Sequence, residues 1–338
     1  MHRRPAVLIG ILSLVLACAC GARPVPTSAA PAATPQDHRA RARALDDAFN
    51  AHDTAAIAAL YASDAVVHVW GLADDRGRPA IERSAGEIFA AFPDARRTTG
   101  RMWIKDAHTA LVEWTLAGTN TGTSAALSIG AATGKHAGIV AASVLVAGDD
   151  GRIREERRYI DFVTLVGQLV PPDPENPLRP VIASPPSGTG VFEASGAPAE
   201  AAQLDGQRQY VAALDGHHID DVMKTIAPDF QSDDYLAPAT VGATELRASL
   251  TFFITSAQDF RATVASAFAT ADYGIFEMEF DGTFPDTKEP GKPHGTFHVH
   301  ELQVNHFEAG RMQRSWSWSD GLETAHQLGL PAPHVPAG

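Results

Sequence analysis

The sequence predicts an α+β protein made of two tandem copies of one domain, each with N-terminal helices packed on a curved antiparallel sheet. Three observations carry that expectation. The chain has 338 residues and 45% hydrophobic composition, enough for two cores of ordinary size. Each half opens on helical periodicity and then changes to strand periodicity. The halves also align: Asp64 with Asp229 and Asp94 with Asp259 lie 165 positions apart, while Asp161 with Asp320 and Gln168 with Gln327 lie 159 apart. Gly118 and Gly282 are 164 apart, so the second copy is shortened opposite residues 121–138. That stretch is rich in Gly, Ser and Ala, where a loop shortens at little cost. A length change confined to a loop, with both flanks in register, is what a tandem repeat shows.

The elements follow in order. "MHRRPAVLIGILSLVLACAC" has a basic start and an apolar run from Ala6 to Ala17 too short to cross a bilayer, so a signal peptide is expected over 1–17. Its end, "VLAC", resembles a bacterial lipobox with Val15 in the usual Leu position. Cys18 is the expected lipidated residue and Cys20 its alternative; a plain signal peptide cut near Ala19 or Ala22 is the other reading. The expected location is the bacterial cell envelope, with membrane attachment through the lipid only. Both cysteines of the chain fall here, which excludes disulfides and thiol chemistry from the domains. Residues 18–38, rich in Pro, Ala and Ser, read as a flexible stalk.

The first domain is expected over 39–170. "ARALDDAFNAHDTAAIAALYASDA" places Leu45, Phe49, Ile57 and Leu60 on a stripe broken at "AHD", hence two helices. "AVVHVWG" is a short strand, and "RPAIERSAGEIFAAFPD" is a third helix stopped by Pro93. "TALVEWTLAGT" and "GIVAASVLVAGDDGRIREERRYIDF" are strands, with "GDDG" turning a hairpin. Residues 171–203 carry the prolines of an interdomain linker. The second domain, 204–330, repeats the helical opening with Tyr210, Leu214, Val222 and Ile226, and 331–338 form a tail.

A formal charge of −13 argues against a nucleic-acid partner, because such affinity rests on Lys and Arg neutralising phosphates. The chemistry has to be sought in motifs.

Taken together, "YASDAVVH", "GRPAI", "FPDAR", "VEWTLAGTNTG", "DGRIREERRYID" and "LVGQL" resemble a SnoaL-like polyketide cyclase or ester cyclase domain of the NTF2-like superfamily. Residues 204–330 resemble it more distantly, through "GTF", "GRMQ" and "QLG". The resemblance implies two cone-shaped domains, each sheet and its helices enclosing one pocket. It also implies a metal-independent acid–base site with no cofactor, acting in ring closure of a polyketide ester. The aspartate on the last strand of the cyclases matches Asp161, and Asp320 in the second copy. In the family's Gly-Thr-His-Thr-Gly stretch, Asn120 stands at the histidine and Phe284 in the second copy, and Asn cannot exchange a proton at neutral pH.

A carboxylate gains basicity in an apolar pocket, so Asp161 is the expected general acid/base. Tyr159 shares its strand face, as Trp316 and Trp318 share that of Asp320. His68, Trp70, Glu113, Asn120, Tyr159, Trp316, Trp318 and Asp320 complete the expected substrate-binding set. Against this, an aspartate where a strand gives way to a helix is also a common N-cap. Arg96 and Arg97 after "FPD" read as solvated helix-end charges, with binding of a carboxylate as the alternative, and Glu277, Glu279 and Asp281 as a solvent-facing row. His298 and His300 are a weak metal pair, since His-x-His defines too few ligands.

The expected function is an exported protein that acts on or binds a small, largely apolar carbonyl compound in the first domain. The alternative is a noncatalytic lipoprotein that binds a ligand or a protein partner. Pairing of the two domains within one chain, or a homodimer, is the expected assembly.

Overall fold

The computed structural model describes residues 37–174, 177–257, 259–285 and 293–337; the expected signal peptide, Cys18 and the stalk up to residue 36 lie outside them. The first copy runs α1 (His38–Asn50), α2 (Thr54–Ala59), β1 (Tyr61–Val69), β2 (Asp75–Arg76), α3 (Arg78–Ala91), β3 (Arg96–Ile104), β4 (Thr109–Thr119), β5 (His136–Ala147), β6 (Ile153–Tyr159) and α4 (Phe162–Gly167). The helix break at "AHD" has a local cause. His52 takes a left-handed φ of 55°, and the Asp53 side chain accepts from the Ala56 amide at 2.8 Å to cap α2. Helix α3 has Pro79 in its first turn and stops at Phe92, before Pro93.

Strand β7 (Gly190–Glu193) follows, then α5 (Pro198–Asp215), α6 (Ile219–Lys224), β8 (Ile226–Asp234), β9 (Val241–Gly242), α7 (Ala243–Ser256), β10 (Arg261–Thr270), β11 (Tyr273–Pro285), β12 (Pro293–Glu308), β13 (Arg311–Ser319) and α8 (Gly321–Leu328). The stretch read as linker is therefore partly structured: β7 adds to the edge of β3 in parallel, and α5 starts inside it.

The sheets have orders β2-β1-β6-β5-β4-β3-β7 and β10-β11-β12-β13-β8-β9. Most neighbours are antiparallel, but β1–β6 and β8–β13 pair in parallel. Register proves the repeat residue by residue. Val66 faces Glu155 as Gln231 faces Arg314, and Thr99 faces Trp114 as Val264 faces Met278. Together these form two tandem NTF2-like domains.

Alternation along β6 decides which side chains meet the helices. Glu156, Arg158 and Ile160 point under α1–α3, whereas Tyr159 belongs to a separate cluster on the other face; Ile153 also reaches the helix-side core because the register slips between it and Glu155. That second cluster joins Trp103, Leu111, Val140 and Val144 of the first sheet to Ile275, Leu302, Val304, Trp316 and Trp318 of the second. The two sheets thus pack through their outer faces, and each keeps its own core beneath its helices.

Candidate functional site

Between the first sheet and its helices lies a cavity of about 70 Å³. Leu45, Phe49, Ile57, Ile81 and Leu116 make its apolar walls, and Tyr61, Asp75, Arg97, Glu156 and Arg158 its polar side. Strand geometry explains the set: Glu156, Arg158 and Ile160 are alternate residues of one strand and its exit, and Asp75 pairs across from Val67.

Two carboxyl groups here have opposite environments. The Glu156 carboxylate accepts from the Tyr61 hydroxyl at 2.5 Å, the Ser143 hydroxyl at 2.7 Å and both Nε and Nη2 of Arg158 at 2.9 Å. Burial alone would raise it, but Arg158, Tyr61 and Ser143 outweigh burial and hold it at about 2. Burial and the neighbouring Glu156 push the Tyr61 hydroxyl well up, so it stays a donor. Among the described residues, Asp75 has one side-chain donor, the Ser84 hydroxyl at 2.6 Å. Burial raises its carboxyl, and Ser84 and Arg158 only partly offset that. A locked anion beside a carboxyl of raised pKa is the arrangement that separates a fixed group from a working acid/base.

Arg97 and Trp114 border the same space. The Arg97 guanidinium lies 4.8 Å from the Trp114 ring centroid and pairs with Asp46, its side chain only 7% exposed. It is not the solvated helix-end charge expected, because β3 turns it under α1. The Trp114 indole donates to Ser143 at 3.0 Å, which ties it to the Glu156 network.

The residues expected to wall the pocket lie elsewhere. Asp161 is the N-cap of α4: one oxygen accepts from the Thr164 amide at 3.2 Å, and the other has no partner among the described residues. Odd-numbered like Tyr159, it leaves the strand on the face away from the cavity. Burial, opposed by Thr164, raises its carboxyl to about 6. Asp320 caps α8 in the same way through Leu322 at 2.9 Å, and burial, with Asp161 adding to it, pushes it well above the usual range.

Tyr159, Trp316 and Trp318 are in the seam between the sheets, and the Tyr159 hydroxyl donates to Glu277 at 2.9 Å. Glu277 is thus buried across from the first domain and not on a solvent face. Glu113 binds Arg101 with oxygens 3.2 and 2.5 Å away, and Arg101 lies 3.9 Å over Trp316. His68 holds Asp74 at 3.0 Å and stacks on Trp70, which in turn stacks on His300 at 3.6 Å. Asn120 is fully buried and fastens a loop: its amide donates to the Ala91 and Gly122 carbonyls at 3.0 and 2.9 Å, and its oxygen accepts from the Thr133 amide and hydroxyl at 2.8 and 3.0 Å.

The second copy lacks the polar set. At positions in equivalent register, Tyr61, Asp75, Arg97, Trp114, Glu156 and Arg158 become Ile226, Val241, Ala262, Met278, Ser315 and Ser317. Its interior holds instead a cluster of phenylalanines, with Phe253 edge-on to Phe260, Phe284 and Phe297.

No curated protein matches the sequence. Among solved structures, TsrD from Streptomyces laurentii is similar at 20% identity and TM-score 0.34, covering 39% of this chain and 97% of its own. AclR from Streptomyces galilaeus is similar at 17% and 0.35, over 39% and 99%. A Catenulispora acidiphila protein with a ketosteroid isomerase-like fold is similar at 16% and 0.34, over 39% and 98%. Each likeness spans about one copy's length. The family model for SnoaL-like polyketide cyclase matches residues 39–169 and again 205–328, so the chain belongs to the SnoaL-like polyketide cyclase family, with two copies in tandem.

Proposed function

We propose that the first domain binds a small, largely apolar carbonyl compound in the cavity beneath α1–α3 and moves a proton on it, with Asp75 as general acid/base. The observation that carries this reading is the contrast between Asp75 and Glu156. Glu156 spends its lone pairs on Tyr61, Ser143 and Arg158, whereas Asp75 keeps a raised pKa against apolar walls. A base of that kind removes a proton next to a carbonyl more readily than an exposed aspartate does. Asp161 then serves as the α4 cap and not as the base, and the second domain serves packing and binding.

The cavity is about half the size of one that takes benzene, roughly 150 Å³, so it accepts the carbonyl end of a ligand and not a whole polycyclic chain. A panel of small ketones and esters, followed by thermal unfolding, tests occupancy: a ligand raises Tm in the wild type. Ala85→Leu, which fills the cavity wall, removes that rise; an equal rise in the variant means the ligand sits elsewhere.

We further propose that the protein is exported and lipid-anchored at Cys18, on the strength of the apolar run and "VLAC". No helix of the described residues is long and apolar enough to cross a membrane. Cys18→Ala should move the protein from the membrane to the soluble fraction; unchanged partition speaks against the anchor.

A further inference from the structure

Outside the cavity, one cluster among the described residues has the composition of a metal site. On β11 and β12, Glu279 faces His300 and Asp281 faces His298, two alternate cross-strand pairs with Phe280–Val299 between them. The four side chains share the sheet face that carries Leu302 and Glu277 into the seam. A donor atom from each of Glu279, His298 and His300 lies within 4.8 Å of the other two. The glutamate that a reading along β12 alone does not supply comes from the neighbouring strand.

The surroundings orient both imidazoles. Nδ1 of His298 is 2.7 Å from Asp281, and Nδ1 of His300 is 2.7 Å from Glu323 on α8. A carboxylate at Nδ1 requires the proton there and leaves the lone pair on Nε2, which is how metal-binding histidines are commonly set. Glu323 also accepts from the His300 amide at 3.0 Å. The His300 ring is further clamped by Trp70 of the first domain, stacked within 6° of parallel at 3.6 Å. His298, by contrast, is about half exposed. One ring is clamped, the other is held by Asp281 at a half-exposed position, and solvent reaches the site.

We propose that Glu279, His298 and His300 bind a first-row divalent transition-metal ion, with at least one coordination position open to water. Two imidazole nitrogens and one carboxylate oxygen suit zinc, cobalt or nickel and not the all-oxygen preference of calcium or magnesium. Three protein ligands leave a tetrahedral ion one further position. Asp281 and Glu323 raise ligand basicity and add negative charge around the cation. Because Trp70 lies on His300, occupancy fastens the β11–β12 pair of the second sheet where the first domain meets it.

The full chain, stripped with chelator and titrated with Co²⁺, provides the test. One equivalent should produce saturable visible d–d absorption. His298→Ala, at a half-exposed position that leaves the fold intact by circular dichroism, should abolish it, as should the near-isosteric Glu279→Gln. Asp281→Asn should weaken uptake about 10–100-fold. Absence of a saturable band in the wild type overturns the proposal. So does a band of unchanged amplitude and midpoint in both His298→Ala and Glu279→Gln.

Discussion

Arg157 of β6 and Glu277 of β11 join the two sheets by a two-pronged ion pair, Nε to one carboxylate oxygen at 2.6 Å and Nη2 to the other at 2.8 Å. Glu277 also accepts from Tyr159, so one carboxylate satisfies two side chains of the opposite domain. Glu277→Ala leaves Arg157 and the Tyr159 hydroxyl facing an apolar seam. Arg157 is a fifth exposed and retains Glu155, which moderates the loss. Urea unfolding should show destabilisation of about 2–3 kcal/mol; a change under 0.5 kcal/mol means the pair does not hold the sheets.

Asp161 gives the fold a pH dependence of known sign. Its folded-state pKa, about 6, lies above the unfolded value of about 3.9, so the folded protein holds that proton more tightly. The associated stability is full below the unfolded pKa and is lost as pH rises through about 6. Asp161→Asn keeps an acceptor for the Thr164 amide and removes the charge. It should stabilise the protein at pH 7 by about 3 kcal/mol and change little at pH 3.5. A destabilised variant at pH 7 would show that the carboxylate charge itself is needed.

Asn120 is a fastener, and its loss should register in stability before function. Asn120→Ala strips four hydrogen bonds, one buried and three part-buried, from the loop between β4 and β5, and should cost on the order of 3 kcal/mol. Asn120→His does not recreate a proton carrier at the cavity, because the side chain is bound to Ala91, Gly122 and Thr133. Thermal unfolding of the alanine variant within a degree of wild type would remove this role.

The sequence made the fold legible but not the site, and β6 shows why. Its repeat partner, its hairpin and the following helix all follow from spacing and turn chemistry, which are local. Which of its two faces meets the helices is not local. Tyr159 and Asp161 share a face, as alternation requires, yet that face meets a second sheet, and only the presence of that sheet makes it apolar. The paired tryptophans of "SWSWSDG" misled for the same reason: they are large because they fill a seam. The interior partners Glu156 and Arg158 stood in the same run, and their alternation with Tyr159 and Arg157 was the available signal. Asp75 had none, since β2 is two residues long and owes its place to pairing with β1.

Glu156 and Asp75 should separate under mutation. Glu156→Gln leaves Arg158 without its counter-charge and weakens the bonds of Tyr61 and Ser143, at about 3–5 kcal/mol. Asp75→Asn removes a carboxyl already disfavoured as an anion and should leave stability within about 1 kcal/mol of wild type. Equal losses in the two variants, measured by denaturant titration, would place both carboxylates in one structural network.

Proton exchange at the carbon next to a carbonyl bears most directly on the proposal that chemistry sits at Asp75. Small ketones and esters incubated with the protein in D₂O, and followed by NMR, report that step without knowledge of the natural product. Wild type and Asp161→Asn should both catalyse exchange, and Asp75→Asn should be slower by about 10²–10⁴-fold. Exchange that survives in Asp75→Asn but disappears in Asp161→Asn would return the chemistry to the end of β6.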